Sequence, residues 1–357
     1  MKKGPASVEF KNVVKRYGAV TAVNDVSFAI APGELVTFLG PSGCGKTTTL
    51  RLIAGLEMAS EGRIAIGGKD VTGLSAADRD VSMVFQSYAL FPHMSVVENV
   101  AYGPSVQGAG KARAREMAMD KLSLVGLEGL ENRAPSELSG GQQQRVAVAR
   151  ALVLEPQVLL FDEPLSNLDA KLRRRVREEI RELQLSLGLT VAYVTHDQEE
   201  ALAVSDRIIV MSNASIAQIG SPRELYDAPS SRFVADFMGD ANLIPVEVGA
   251  HDGAFAKILI GRREMRVAHR GIPPGSAYVA VRPHQIAIEA RSATGGSLEG
   301  LISKAAYVGD HMEYRITLAV PKLELFATAP DVVSPLEKGS EVAISFDPAG
   351  LVLVSGD

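Results

Sequence analysis

The sequence predicts an α/β domain followed by a smaller all-β domain, and three observations carry this prediction. Residues 1 to about 239 alternate short apolar runs with helical patterns. From Asn242 onward, short alternating runs are separated by turn-forming stretches such as Pro273-Pro274-Gly275 and residues 294–297. The length of 357 residues is also more than a single typical domain uses. We therefore expect an α/β domain over residues 1–239 and a β-rich domain over residues 240–357.

Strands of the first domain are indicated by continuous apolar runs, as expected where both faces of a parallel sheet are covered. These runs are residues 35–39, 81–85, 158–161, 190–194 and 207–211. The clearest helix covers residues 171–187, where apolar residues recur every three or four positions: Leu172, Val176, Ile180, Leu183 and Leu187. Arginines and glutamates share its opposite face, which indicates a solvated surface rather than a nucleic-acid site.

Strands of the second domain are indicated by short runs with alternating polarity. The runs are residues 244–248, 257–260, 278–281, 286–289, 314–320, 323–327 and 342–346. Such closely spaced short strands favour a small barrel or sandwich. The domain shows no interleaved basic and aromatic stripe, so we do not expect it to bind nucleic acid.

Composition excludes several classes of function. The net charge of −5 and the pI near 5.8 give no global basic field that would attract nucleic acid or anionic lipid. The single cysteine, Cys44, cannot form an internal disulfide, which favours a reducing compartment. No apolar run approaches the roughly 18 residues of a membrane-spanning helix, and no signal-peptide core follows Met1. If the chain works at a membrane, another protein must hold it there.

A phosphate-binding loop is predicted between the apolar run 35–39 and a helical pattern over residues 48–54. It fits G-x-x-x-x-G-K-[ST], and its residues are Gly40, Pro41, Ser42, Gly43, Cys44, Gly45, Lys46 and Thr47, followed by Thr48. The glycines allow backbone N–H groups to turn towards phosphate oxygens at a helix N-terminus. We expect Lys46 to reach the β- and γ-phosphates of a nucleotide, and the Thr47 hydroxyl to bind Mg²⁺.

Two carboxylates follow the apolar run 158–161. Asp162 and Glu163 would lie at the carboxyl end of a parallel strand, where ligands gather in open α/β sheets. We expect Asp162 to bind Mg²⁺, and Glu163 to polarise the attacking water as a general base. The alternative is a strand that simply ends in a polar turn, helped by Pro164.

The pentapeptide from Leu138 to Gln142 narrows the predicted function more than any other stretch of the sequence. Alone, its Ser139, Gly140, Gly141 and Gln142 could be a turn that opens a helix. The phosphate loop lies upstream of this pentapeptide, the two carboxylates lie downstream, and His196 lies beyond them. ATP-binding-cassette (ABC) ATPases carry these elements in the same order, and this chain therefore resembles that family. In that family the pentapeptide of one subunit closes over ATP held by another. The resemblance thus implies a homodimer, although a heterodimer with a paralogue would satisfy the same arrangement.

The resemblance also assigns roles to residues that are weak signals alone. Gln86 would contact Mg²⁺ and the attacking water, and His196 would contact the γ-phosphate and the catalytic glutamate. Asp169 would lie in the loop between subunits, and Tyr17 would stack on adenine. Each has a structural alternative: Gln86 as a turn residue, His196 as a helix cap, Asp169 as the N-cap of helix 171–187, and Tyr17 as a core residue.

The resemblance to ABC proteins covers the whole chain and implies further partners. Stretches that begin at Tyr88, Leu165 and Gln218 are typical of the maltose, polyamine and ferric-iron branch of bacterial importers. The segment Val281-Arg282-Pro283-His284 resembles the transport-associated oligonucleotide-binding-fold (TOBE) domain, an OB-like module. A separate membrane permease would dock near residues 87–103, which begin with Ser87 and end with Gly103, and a solute-binding protein would serve the same system. The chain would lie peripherally at the cytoplasmic face of the cell membrane.

Ferric iron is the solute that we expect, with polyamine, phosphonate and sugar as alternatives. This expectation rests on overall likeness, including residues 237–243. A non-transport ABC ATPase of translation or DNA repair is a second hypothesis, but such proteins usually carry two cassettes or a long coiled-coil insertion. A small-molecule kinase or a GTPase would not account for the pentapeptide. The β-rich domain could support dimerisation, bind a small inhibitory solute or accept a regulatory protein.

Overall fold

The computed structural model describes residues 4–261, 263–290 and 298–355. The chain divides into two compact units, Met1–Pro222 and Arg223–Asp357. The turn expected at residues 294–297 lies outside the described residues. Within the three described ranges, no helix is long and apolar enough to cross a membrane.

The first unit alternates strands and helices along most of its length. Its strands are β1 (Val8–Tyr17), β2 (Val20–Ile30), β3 (Leu35–Leu39), β4 (Glu61–Ile66), β5 (Lys69–Asp70), β6 (Val81–Val84), β7 (Val158–Asp162), β8 (Thr190–Val194), β9 (Arg207–Ser212) and β10 (Ser215–Gly220). Its helices are α1 (Lys46–Ala54), α2 (Val96–Val106), α3 (Lys111–Leu124), α4 (Gly140–Leu152), α5 (Ala170–Leu187) and α6 (Gln198–Val204).

The central sheet has the strand order β10-β9-β3-β8-β7-β6. Pairing is parallel from β9 through β6, and β10 is antiparallel to β9. Every residue of β3, β7 and β8 is buried, which confirms that the continuous apolar runs are strands covered on both faces. Because these strands are parallel, the residues that follow β3, β6, β7 and β8 emerge at one edge of the sheet.

A second, antiparallel sheet has the order β2-β1-β4-β5 and packs on the central sheet. The rings of Phe10 and Phe28 stack at 4.5 Å, and Phe28 meets Phe38 of β3 edge-on at 5.2 Å. The sequence patterns above do not predict this sheet. Register shifts interrupt the pairing of β1 with both neighbours, so its buried residues do not alternate regularly.

The second unit is an all-β domain preceded by short helices, as the sequence predicts for its β-rich part. The helices are α7 (Pro222–Asp227) and α8 (Arg232–Phe237). The strands are β11 (Asn242–Asp252), β12 (Phe255–Ile260), β13 (Arg263–Ala268), β14 (Gly275–Val281), β15 (Ile286–Ala290), β16 (Leu298–Tyr307), β17 (Met312–Leu318), β18 (Leu323–Ala329), β19 (Glu341–Phe346) and β20 (Val352–Val354). Where the structure describes this unit, the strand orders are β13-β12-β11-β14-β20 and β15-β19-β16-β17-β18. Residues from both orders, such as Val279 and Ile344, share one apolar core.

The boundary between the compact units differs from the one expected at residue 239. Ala235 of α8 packs with Ala280 and Val354. The Arg282 guanidinium, which is buried, donates to the carbonyl oxygen of Ala235 at 2.8 Å. Residues 223–239 therefore belong to the second unit, in which Ala235 packs against β14 and β20.

Candidate active site

The phosphate loop (residues 40–47) joins β3 to α1 at the carboxyl edge of the central sheet. A Cβ on Gly40 would collide with the carbonyl oxygen of Met211, and one on Gly45 with the carbonyl oxygen of Ala22. Both glycines also have a positive φ, 155° and 104°, which L side chains rarely adopt. The loop is thus held between β9 and β2 in a shape that only glycine permits at these two positions.

Lys46 lies inside the curve of the phosphate loop rather than in solvent. It is the first residue of α1, and its side chain is buried. Its Nζ donates to the carbonyl oxygens of Gly40 at 2.7 Å and Pro41 at 2.9 Å, and lies 3.8 Å from the Cys44 sulfur. The Lys46 ammonium group therefore lies next to the backbone of the phosphate loop, which the motif predicts will surround a phosphate group. Of the other predicted loop residues, Ser42 and Gly43 are exposed and Thr48 is half-buried in α1.

Thr47 and Asp162 form a pair of oxygen donors beside the loop. The Thr47 hydroxyl donates to Asp162 Oδ1 at 3.3 Å, which brings the two predicted Mg²⁺ ligands together. Asp162 is 9% exposed, and burial, aided by the charge of Glu163, raises the pKa of its carboxyl despite Thr47 and Arg51. Among the described residues, no group of three or more His, Cys, Asp or Glu side chains could hold a metal ion. The pair fits Mg²⁺, which commonly takes one or two protein ligands together with phosphate oxygens.

Glu163 and His196 face each other at the ends of β7 and β8. His196 Nδ1 lies 3.0 Å from Glu163 Oε2. Glu163 has φ 45°, an uncommon conformation for a non-glycine residue, and its N–H donates to the Val194 carbonyl oxygen at 3.0 Å. His196 is not the cap of the next helix, because the Asp197 carboxylate accepts from the Glu200 N–H at 3.0 Å. The structure therefore excludes the capping alternative and leaves His196 next to a carboxylate.

A buried network beneath His196 is absent from the sequence-based site. Glu200 is 4% exposed and accepts hydrogen bonds from the Tyr193 hydroxyl and, at 2.6 Å, from the Thr195 hydroxyl. Burial raises the pKa of the Glu200 carboxyl and raises that of Tyr193 well above its ordinary value. Thr195 also accepts from the Asp197 N–H at 3.0 Å, so the network fixes the turn that carries His196. A glutamate followed by apolar residues in a short helix gave only a weak signal for this role.

Gln86 follows β6 and contacts the loop after Glu163. Its Nε2 donates to the Ser166 hydroxyl at 3.2 Å, and Asn167 Nδ2 donates to the Gln86 carbonyl oxygen at 3.1 Å. Gln86 thus lies among residues that adjoin the predicted catalytic carboxylate. Its side chain is therefore bonded to a neighbouring loop, which an isolated turn residue would not be.

The segment after Gln86 is fixed by two side chains that the sequence did not single out. Arg150 of α4 donates to the carbonyl oxygens of Tyr88 at 2.8 Å and Ala89 at 2.7 Å. Asn99 of α2 is fully buried and exchanges hydrogen bonds with the Phe91 backbone in both directions. A polar residue within the apolar run of α2 was the available signal for Asn99.

The pentapeptide and Asp169 both open helices. Ser139 caps α4: Gln142 N–H donates to its hydroxyl at 3.4 Å, and the Ser139 N–H donates to Gln142 Oε1 at 2.9 Å. Asp169 caps α5 by accepting from the Leu172 N–H at 2.9 Å. A Cβ on Gly141 would approach the Leu172 side chain to 3.0 Å, so the two helix starts pack closely. These capping roles do not test whether the pentapeptide and Asp169 contact a second subunit, which stays a prediction.

Tyr17, the last residue of β1, does not pack in the core. Its side chain is 44% exposed, and Lys15 Nζ lies 4.6 Å from the ring centroid. Partial burial and a hydrogen bond to Glu57 raise the pKa of its hydroxyl. The ring is therefore available for stacking.

The fold and this arrangement define an ATP-binding cassette, and comparisons with known proteins agree. Residues 23–166 match the ABC transporter family, and residues 279–354 match the TOBE domain. The Fe(3+) ions import ATP-binding protein FbpC 1 of Rhizobium meliloti is 60% identical over 352 residues, covering 99% of both chains. The Fe(3+) ions import ATP-binding protein FbpC of Agrobacterium fabrum is 59% identical over 350 residues, covering 98% of both.

Solved structures show the same cassette. A dimeric ATP-binding cassette in a post-hydrolysis state, bound to ADP and Pi, is 33% identical with a TM-score of 0.54 and covers 60% of this chain and 99% of its own. A second dimeric structure, of a bacterial ABC transporter cassette, matches with the same values. The chain belongs to the importer-type ATP-binding subunits of the ABC transporter family, with a C-terminal TOBE domain. The predicted family, fold class and ATPase activity are thereby confirmed.

Proposed function

We propose that this chain hydrolyses ATP to energise the import of ferric iron through a separate membrane permease. The observation that carries the catalytic part is the approach of Glu163 to His196 beside the Thr47–Asp162 pair. The solute is supported by relatives that span nearly the whole chain and are named as Fe(3+) ions import proteins.

ATP binding is assigned to the phosphate loop and α1. Lys46 would exchange its contacts with the Gly40 and Pro41 carbonyl oxygens for β- and γ-phosphate oxygens. Mg²⁺, held by Thr47 and Asp162, would neutralise phosphate charge and relieve the ionised Asp162 of its unfavourable burial. Tyr17 would stack on the adenine ring.

Hydrolysis is assigned to Glu163, His196 and Gln86. Glu163 would accept the proton of the attacking water at its carboxylate. His196 would hold that carboxylate through Nδ1 and present its other nitrogen to the γ-phosphate, supported by the Glu200 network. Gln86 would help to position the water from the neighbouring loop.

A second copy of the chain would complete each site. Ser139 and the N-terminus of α4 would bind the γ-phosphate of ATP held by the other copy, and Asp169 would lie at the same interface. The dimers formed by the related cassettes support this assembly. A homodimer therefore provides two equivalent composite sites.

The permease is assigned to residues 87–103, in a system that includes a solute-binding protein. Arg150 ties Tyr88 and Ala89 to α4, the helix that begins at the pentapeptide. A displacement of this segment by a permease would therefore reach the ATP-closing helix through Arg150. In this arrangement the chain lies peripherally at the cytoplasmic face of the membrane.

Glu163→Gln tests the catalytic assignment. We expect ATP turnover to fall by about a hundredfold or more, because the general base is lost, while ATP binding and ATP-driven dimerisation persist. Glu178→Gln, on the exposed face of α5, is the matched control and should keep full turnover. Undiminished hydrolysis by Glu163→Gln would remove Glu163 from the catalytic role.

Uptake measurements test the solute. Cells that carry Glu163→Gln as their only copy should take up radiolabelled ferric iron no faster than cells that lack the chain. Spermidine, phosphonate and maltose uptake should be unchanged. Loss of one of those activities with intact iron uptake would overturn the assignment of iron, and leave the ATPase assignment standing.

A further inference from the structure

Arg173 of α5 connects two segments of the candidate site that lie far apart in the sequence. Its Nη2 donates to the Leu168 carbonyl oxygen at 3.1 Å, and its Nη1 donates to Asp197 Oδ2 at 3.3 Å. Leu168 belongs to the β7–α5 loop (residues 163–169), and Asp197 belongs to the β8–α6 turn (residues 195–197). No role assigned to the site residues above involves this arginine.

The β7–α5 loop joins the proposed general base to the proposed interface between two copies. It begins at Glu163, whose carbonyl oxygen accepts from the Ser166 hydroxyl at 3.1 Å, and it ends at Asp169. A Cβ on Gly140 would approach the Leu168 side chain to 3.0 Å, so the end of the loop also packs against the pentapeptide. In the proposed dimer, a second copy would contact this loop near Asp169.

The β8–α6 turn carries His196, and Asp197 fixes the turn through both of its carboxylate oxygens. Asp197 Oδ1 accepts from the Glu200 N–H at 3.0 Å and caps α6, whereas Oδ2 accepts from Arg173. His196, the neighbouring residue, places its Nδ1 3.0 Å from Glu163 Oε2. Arg173 lines the small cavity of about 30 Å³ that adjoins both Glu163 and His196. The arginine therefore holds the turn at a point one residue from the histidine.

Two other arginines of α5 lie on the same face of the helix and provide a comparison. Arg177, one helical turn further along, donates from Nη1 to the Glu199 carbonyl oxygen at 3.4 Å. Arg181 forms an ion pair with Asp206, which follows α6. Within the described part of the chain, only Arg173 among the three is bonded to the β7–α5 loop.

We propose that Arg173 is a positioning residue for ATP hydrolysis, which keeps His196 against Glu163 by holding the β7–α5 loop and the β8–α6 turn at a fixed separation. This inference rests on the proposed roles of Glu163 and His196. A guanidinium group is planar and presents its N–H groups in a rigid fork, so a movement of one acceptor is passed to the other. Contact of a second copy with the loop would thereby align the histidine with the general base.

Steady-state kinetics of the full chain test this role. We expect Arg173→Ala to lower kcat for ATP about tenfold and to change KM by less than about twofold, because ATP binding by the phosphate loop does not use Arg173. Arg173→Lys keeps the charge but lacks the fork, and should lower kcat about threefold, so the test remains open if Arg173→Ala folds poorly. Arg177→Ala is the matched control on α5 and should keep kcat within about twofold of the wild type.

A double-mutant cycle shows whether Arg173 acts through Asp197. Asp197→Ser keeps a hydroxyl that can cap α6, but the shorter side chain leaves no second oxygen for the arginine. We expect Asp197→Ser to lower kcat, and the double variant to be no slower than the slower single variant, because both changes break the same connection. Losses that multiply in the double variant would show independent roles and overturn the proposal.

The ring signal of His196 in NMR gives a readout that needs no hydrolysis. The isotope-labelled full chain is used without ATP, and the signal is assigned by its loss in His196→Gln. Arg173→Ala and Asp197→Ser should move it in the same direction, whereas Arg177→Ala should leave it in place. A normal kcat or an unmoved His196 signal in Arg173→Ala would overturn the positioning role, even where Glu163→Gln has lost turnover as the proposed function requires. Full turnover by Glu163→Gln would instead overturn the proposed catalytic role, and this inference with it.

Discussion

At the scale of single residues, the candidate site is built from groups that fit the fold poorly without a ligand. Glu163 adopts φ 45°, and Asp162 holds a carboxylate where burial raises its pKa. Such conformations and buried charges are unfavourable by themselves and persist because the surrounding strands hold them. Both follow β7 directly, so one buried strand positions the two carboxylates at the sheet edge.

Asp162→Asn should stabilise the ligand-free chain near neutral pH. Burial raises the pKa of the Asp162 carboxyl in the folded chain above its ordinary value of 3.8, so the folded chain keeps this proton to a higher pH than the unfolded chain does. The free energy of unfolding therefore falls as the pH rises from 3.8 through the folded pKa. Asparagine removes this loss, and the melting temperature should rise by about 2–4 °C for each kcal/mol recovered. The difference from wild type should shrink as the pH is lowered towards 3.8.

Thermal melts with and without Mg-ATP check this prediction. The same variant should lose most of the stabilisation that Mg-ATP gives the wild type, because that shift measures ligand binding. A lower melting temperature near pH 7 would mean that the Thr47 hydrogen bond and Arg51 outweigh the burial of Asp162.

At the scale of elements, helix starts serve both the fold and the site. Ser139 of α4 and Ser95 of α2 form the same capping box, each with a partner three residues later. Ser139→Ala and Ser95→Ala should therefore cost similar stability, about 1 kcal/mol each in urea unfolding. Only Ser139→Ala should also lower ATP turnover by about tenfold or more, since a hydrogen bond to a charged phosphate is worth ~1.5–3 kcal/mol. Equal turnover in the two variants would confine Ser139 to capping.

Elements with a strong local pattern were predictable from the sequence, and the others depend on distant contacts. Helix α5 follows from its apolar period, and β3, β7 and β8 from continuous apolar runs. Strands β13 and β16 carry charged or glycine residues and are stabilised by pairing with β12, β17 and β19, which the local sequence does not encode. The motifs likewise indicated the loop 40–47 and Glu163, because the chemistry requires those residue types in that order.

Residues that support the site were not predictable in the same way. Arg150 bonds to carbonyl groups about sixty positions earlier in the chain, and no spacing rule connects them. Glu200 acts through Tyr193 and Thr195, and only the β8–α6 turn brings these groups together.

At the scale of the whole molecule, the extent of the second unit has a direct consequence for truncation. Leu225, Val234 and Met238 belong to that unit and are fully buried. A chain that ends at Gly239 retains them without β14 and β20, whereas a chain that ends at Pro222 does not. We expect the longer fragment to self-associate and bind a hydrophobic dye, and the shorter one to remain monomeric without ATP. Light scattering and dye fluorescence give the comparison, and the reverse order would place the boundary nearer residue 239.

The composite site predicts that two inactive variants can restore each other. Lys46→Met removes the phosphate-binding lysine, and Ser139→Arg blocks the closing surface with a bulky side chain. In a mixed dimer, one site combines both defects and the other pairs an intact Lys46 with an intact Ser139. Random mixing makes half of the dimers mixed, so turnover should recover to about a quarter of the wild-type value if the sites act independently.

A matched mixture shows whether this recovery reflects shared sites. Glu163 and Lys46 belong to the same half of each site, so mixing Lys46→Met with Glu163→Gln leaves no intact site in any dimer. Turnover should therefore stay at the level of the separate variants in that mixture and rise only with Ser139→Arg. If neither mixture gains activity while both form dimers with ATP, then either hydrolysis requires two intact sites at once or Ser139 does not act across the interface.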